Sequence, residues 1–128
     1  MSKKIVIVGA LGYLGTELCK LYSGESWFHD IIAIDNRFVS KRVNQLINWN
    51  IKFYQGHILD KEFIKNILKD ADIVHHLAGV TDVAYVKKES NSDQDENIKK
   101  IAIEGTNNIL NAIQQKCKII FPSTHVIY

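Results

Sequence analysis

The chain has one proline, Pro122, and two cysteines, Cys19 and Cys117, in 128 residues. Neither cysteine has a CxxC partner or a histidine at ligand spacing. That argues against a metal centre and a dithiol centre, and leaves free buried thiols. Blocks of like charge are also missing: the formal net charge is +2, and the lysines are scattered. A nucleic-acid-binding surface is therefore not expected. There is no long hydrophobic run. The most apolar stretch, Ile5 to Gly15, is broken by Gly9, Gly12 and Gly15. It is too short to span a bilayer and no small-residue cleavage site follows, so a membrane span and a signal peptide are both unsupported. A cytoplasmic protein is expected. Finally, GxSxG and GxxxxGKS are both absent, which removes hydrolase and phosphate-loop readings.

What is present is an alternation. Apolar residues make up 46% of the chain, enough for a normal core. No repeat or linker interrupts it, so residues 1–128 read as one domain. Strands are predicted at Ile5–Val8, Ile31–Ile34, Ile51–Tyr54, Ile73–Leu77 and Lys118–Phe121. The first is β-branched on both faces, as in the middle of a parallel sheet. Helices are predicted between them. One carries Leu11, Leu14, Leu18 and Leu21; a short one spans Lys41–Ile47. A third, capped by Asp60, carries Phe63, Ile64, Ile67 and Leu68, and a long one carries Ile98, Ile101, Ala102, Ile109 and Ile113. The expected fold is α/β, a Rossmann-type doubly wound parallel sheet. It has about five strands in the order 3-2-1-4-5, as right-handed crossovers require, and is left incomplete. Ligands in such sheets bind at the carboxyl ends of the strands.

The chemistry-bearing residues fall at those ends. Gly9-Ala10-Leu11-Gly12-Tyr13-Leu14-Gly15 follows the first strand and opens a helix. A pyrophosphate must come close to backbone N–H groups at such a helix N-terminus, and side chains would obstruct it. Asp35 ends the second strand, twenty residues after Gly15. A carboxylate there accepts the hydroxyls of an adenosine ribose and repels a 2′-phosphate, so NAD is favoured over NADP. Arg37 is the counter-signal, because a nearby arginine accommodates that phosphate. His75 and His76 are adjacent on a strand and face opposite ways, so they cannot share a metal. Trp27, Phe28 and Trp49 are expected in core or loop packing.

The GxxGxxG spacing resembles the extended short-chain dehydrogenase/reductase family, the NAD-dependent sugar-nucleotide epimerases and dehydratases. Further signposts resemble it in order. Asp35-Asn36 followed by Ser40-Lys41-Arg42 resembles the ribose-binding segment of UDP-galactose 4-epimerases, and His76-Leu77-Ala78-Gly79 resembles an HLAG stretch along the cofactor. Gly105-Thr106-Asn107-Asn108-Ile109-Leu110 and Ser123-Thr124-His125-Val126-Ile127-Tyr128 resemble the GTxNLL and ST-xx-VY segments. The resemblance implies cofactor contacts by Gly9, Gly12, Tyr13, Leu14 and Gly15, by Asp35, Asn36 and Ser40, and by Leu77, Ala78 and Gly79. It also implies that Thr124 is the catalytic hydroxyl beside the sugar.

Departures from the family pattern matter too. His57 stands where the family has an acid that accepts from the adenine amino group, and Ile58 is left to pack on the ring. An imidazole can accept that bond in only one tautomer. Ala102 replaces an asparagine that precedes the GTxNLL segment. The chain ends at Tyr128, the VY tyrosine, before any YxxxK pair. The expectation is thus the truncated NAD-binding part of a nucleotide-sugar enzyme, inactive alone, without its C-terminal substrate domain. A homodimer is one assembly open to the complete enzyme. The alternative is a non-catalytic NAD-binding or sensing module acting through a protein partner.

Overall fold

The computed structural model describes residues 2–78 and 92–121. Five parallel strands form one sheet: β1 (Lys4–Val8), β2 (Asp30–Asp35), β3 (Lys52–Gln55), β4 (Ile73–His76) and β5 (Lys118–Ile120). Their order is β3-β2-β1-β4-β5, the order expected from right-handed crossovers. Register is set by the apolar pairs. Ile7 lies opposite Ala33 on one side and His75 on the other, and Val8 lies opposite Ile34 and His76. Strands β1 and β2 are buried almost throughout, which is why their sequences show no polar alternation.

Side-chain alternation divides the core in two. Ile5, Ile7, Ile31 and Ala33 face one layer with Leu11, Cys19, Val43 and Leu46. Val6, Val8, Ile32 and Ile34 face the other with Ile64, Leu68 and Ile109. The first layer is covered by α1 (Tyr13–Tyr22) and α2 (Ser40–Asn48), the second by α3 (Lys61–Leu68) and α4 (Ser92–Ala112). Asp60 caps α3 as its sequence suggests, accepting the Phe63 N–H at 3.2 Å.

Several expectations are corrected. The leucine stripe assigned to α1 is not its buried face. Leu11 precedes the helix and is fully buried in the turn, Leu14 is exposed, and Leu21 is 78% exposed. The face α1 buries is Gly15 and Cys19, with Leu18 and Tyr22 packed beside it. Burial of Leu11 contributes about 1.5–3 kcal/mol, so it pins the turn and not the helix. On α2, Val43 and Leu46 are buried but Ile47 is exposed. Trp27 and Phe28, expected to pack, are 77% and 74% exposed, while Trp49 does pack against the core. Strand β3 starts and ends one residue later than expected, because Ile51 is buried ahead of it. Strands β4 and β5 each end one residue early. Cys19 is buried, and burial pushes its thiol up to about 12. Cys117 is only half-buried.

Candidate functional site

The carboxyl ends of the strands converge on a cleft of about 290 Å³. That is near the lower end of the ~300–1,000 Å³ typical of small-molecule sites. The turns after β1, β2, β3 and β4 line it, and α4 adds Ile101 and Ala102.

The turn after β1 is shaped by what it lacks. Gly9 sits at φ +85°, where a side chain is strained, and a Cβ there would lie 2.8 Å from the Ala78 backbone nitrogen. A Cβ on Gly15 would lie 2.8 Å from Ala10 Cα, and closer still to the Gly9 carbonyl oxygen. The start of α1 therefore rests directly on the turn. Gly12 is the N-cap, with φ −71° and ψ 171°, a conformation open to any residue. Its contribution is to supply no side chain: α1 has no side-chain cap and no acid in its first turn. The first N–H groups of a helix lack intrahelical partners and carry partial positive charge. Here they face a cleft with no protein carboxylate competing for them from the cap or the first turn.

The turn after β2 is shaped by charge. Asp35 is 6% exposed. Its Oδ2 accepts the Leu11 N–H at 2.9 Å, which ties the acid to the glycine turn. Its Oδ1 accepts the Arg37 N–H at 3.0 Å and the Arg37 Nε–H at 3.2 Å, and Arg37 Nη2 reaches Oδ2 at 3.4 Å. Arg42 on α2 donates to the Leu11 carbonyl. Both backbone polar groups of Leu11 are thus held by the β2–α2 segment.

The third wall belongs to the turn after β3. Its Gly56 N–H donates to the Asp35 carbonyl at 2.9 Å. Beside it, half-buried His57 accepts the Leu59 N–H on Nδ1 at 3.1 Å. The Ile58 carbonyl accepts from Asn108 Nδ2 on α4 at 2.9 Å. At Gly105, where α4 has no side chain, Ile58 fills the space: a Cβ would lie 2.7 Å from Ile58 Cγ1.

Two histidines lie beneath the fourth wall, on opposite faces of β4 as expected. The hydroxyl of Tyr22 and His75 Nε2 share a hydrogen bond of 2.7 Å, and His76 Nε2 and Thr106 Oγ1 share one of 3.0 Å. Burial lowers the pKa of both rings, favouring neutral imidazoles. His76 Nδ1 has no partner among the described residues. Among the described residues, no group of three or more histidine, cysteine and acidic side chains could hold a metal ion.

Of the residues picked out from sequence, Gly9, Gly12, Leu14, Gly15, Asp35, Asn36, His57, Ile58, Leu77 and Ala78 share this cleft. Tyr13 and Ser40 do not line it; both are exposed on the first turns of α1 and α2. Gly79 and Thr124 lie outside the described residues, as does the rest of the 123–128 segment. Sequence reasoning missed Gly56 as a lining residue and Arg42 as a brace on the turn. Only its place beside Ser40 singled out Arg42.

A model of the 3-beta hydroxysteroid dehydrogenase/isomerase family matches residues 6–127. The UDP-N-acetyl-alpha-D-glucosaminuronate decarboxylase of Bacillus cytotoxicus is 29% identical over 130 residues, covering 100% of this chain and 38% of that protein. The dTDP-D-glucose 4,6-dehydratase of Dictyostelium discoideum is 32% identical over 134 residues, covering 98% of this chain and 30% of that protein. The chain therefore spans roughly a third of the length of these relatives. Among solved structures, a UDP-glucose-4-epimerase from Stenotrophomonas maltophila with bound NAD and formylated UDP-arabinopyranose superposes with a TM-score of 0.74. Identity is 19%, with 96% of this chain and 37% of that one covered; at that identity the likeness is one of fold. No helix among the described residues is long and apolar enough to cross a membrane.

Proposed function

The chain belongs to the 3-beta hydroxysteroid dehydrogenase/isomerase family, and from that premise we propose that it is the NAD-binding part of a cytoplasmic nucleotide-sugar epimerase or dehydratase. The observation that carries the reading is the hydrogen bond from the Leu11 N–H to Asp35. It joins the two elements a dinucleotide needs, a bare helix N-terminus for its pyrophosphate and an acid for its ribose, in one cleft.

The residues fit such a group. Gly12 keeps the start of α1 open, so the helix N–H groups hold the pyrophosphate. Asp35 accepts the ribose hydroxyls. Its position is fixed beforehand by Leu11 and Arg37, so little ordering is left for binding. Leu77, Ala78 and Ala102 give the β4 side of the cleft an apolar lining that excludes water from the reacting end. When bound there, NAD supplies a hydride acceptor for a sugar carbon. Thr124, by its family resemblance, hydrogen-bonds the sugar hydroxyl being oxidised. Nucleotide-sugar substrates are proposed because the relatives' names specify them.

NAD is favoured over NADP because a 2′-phosphate would meet the Asp35 carboxylate. Calorimetric titration of the full chain with NAD and NADP, alongside Asp35→Ala, tests the reading. Saturable NAD binding that weakens by about 10–100-fold in the variant is expected, on the scale of one or two hydrogen bonds to a charged group. NADP is expected to bind more weakly than NAD. A folded chain that binds neither dinucleotide sinks the proposal.

A further inference from the structure

The strand order divides a bound dinucleotide. The pyrophosphate sits at the start of α1, over β1, and one ribose sits at Asp35, on β2. The other half of the molecule then lies across β1, over β4. That placement rests on the dinucleotide reading above. The corner it enters is walled by Leu77 and Ala78 after β4, and by Ile101 and Ala102 of α4. All four side chains are hydrocarbon, so they hold a ring by shape. Walls from two different elements can do so only if their spacing is fixed.

One buried hydrogen bond joins those two elements beneath the corner. His76, the residue before Leu77, is 4% exposed, and its Nε2 shares a 3.0 Å hydrogen bond with Thr106 Oγ1. Thr106 lies four residues beyond Ala102, and residues four apart are neighbours on one helix face. A threonine hydroxyl inside a helix commonly turns back to the carbonyl four residues earlier. Thr16 does so on α1, donating to the Gly12 carbonyl at 2.8 Å. Thr106 reaches out to another element instead. The His76 ring also meets Phe121 edge to face, with 5.2 Å between centroids, which leaves the imidazole little room to turn.

We propose that His76 and Thr106 are positioning residues for the nicotinamide half of the dinucleotide, their hydrogen bond setting the width of the corner between β4 and α4. Neither residue lines the cleft. His76 acts through Leu77, its neighbour in the chain, and Thr106 through Ala102, its neighbour on the helix.

The test compares NAD with ADP, which has no nicotinamide half, on the full chain. Thr106→Val removes the hydroxyl and keeps the shape. It is expected to weaken NAD by about three- to tenfold relative to ADP, the worth of one net hydrogen bond. Thr106→Ser keeps the hydroxyl and is expected to restore most of the NAD affinity. A purely structural bond would lower the urea midpoint of Thr106→Val and leave the NAD-to-ADP ratio of the folded chain in place. That result, or a Thr106→Ser variant as weak as Thr106→Val, overturns the inference while leaving the dinucleotide site standing. A folded wild-type chain that binds neither ligand removes the site itself and the inference with it. Should Thr106→Val not fold, NMR of the wild-type imidazoles serves in its place. NAD is expected to shift the His76 ring signals and ADP to leave them, and a ring that answers both alike, or neither, overturns the proposal.

Discussion

Two turns meet at Leu11, and they are built on opposite terms. The turn after β1 depends on missing atoms: Gly9 at φ +85°, Gly15 against Ala10, and an N-cap without a side chain. The turn after β2 depends on charge, with Asp35 accepting from Leu11 and from Arg37. A steric requirement of the first kind is all-or-none, because backbone atoms cannot give way cheaply. An electrostatic requirement is graded, because water and a half-exposed guanidinium can compensate in part. The same cleft is therefore brittle on one side and adjustable on the other.

Gly9→Ala should show the brittle side. Strain at positive φ costs about 1–2 kcal/mol, and the added methyl also meets the Ala78 backbone. A loss on the order of 3 kcal/mol in urea unfolding is expected, with dinucleotide binding gone. If the variant keeps wild-type stability, the turn is not steric in origin and the contrast fails.

Arg37→Ala probes the adjustable side. Half of the Arg37 side chain is in solvent, so the ion pair itself is worth about 0–1 kcal/mol and unfolding should change little. Removing the cation beside Asp35 should weaken NADP by about three- to tenfold more than NAD, a charge-assisted contact's worth. Titrations showing both dinucleotides affected alike would mean that Arg37 only orders Asp35.

A smaller effect comes from β4, next to both turns. The His75 and His76 pKa values are depressed by burial from the ordinary 6.5. Below that value the unfolded chain takes up protons that the folded chain refuses, so stability falls as pH drops below about 6.5. Above it the contribution is flat. A urea midpoint that does not fall between pH 7 and pH 5.5, or that falls equally in a His75→Gln, His76→Gln double variant, contradicts this assignment.

The sheet order could be read in advance because strands such as Ile5–Val8 are β-branched and apolar on both faces, which forces them to the middle. The glycine turn and Asp35 were legible for a related reason. Each rests on a local requirement that only a few residue types meet. The α1 face was misread because its buried positions are Gly15 and Cys19, small residues that carry little hydrophobic signal, while the leucines beside them point elsewhere. Trp27 and Phe28 were misplaced because loop packing depends on what the loop meets. Arg42 bracing Leu11 joins residues 31 apart, and the His57 ring is held by one backbone N–H, that of Leu59. Neither leaves a mark in the sequence pattern.

Asn108 and the bare position at Gly105 fasten Ile58 to the 21-residue α4. Mechanically, then, this wall belongs to a rod and not to the loop that carries it. Force applied at Ile58 is shared along α4, and the wall yields only when the helix does. Its amides should exchange with deuterium at the pace of α4, and substituting Asn108 should uncouple the two clocks.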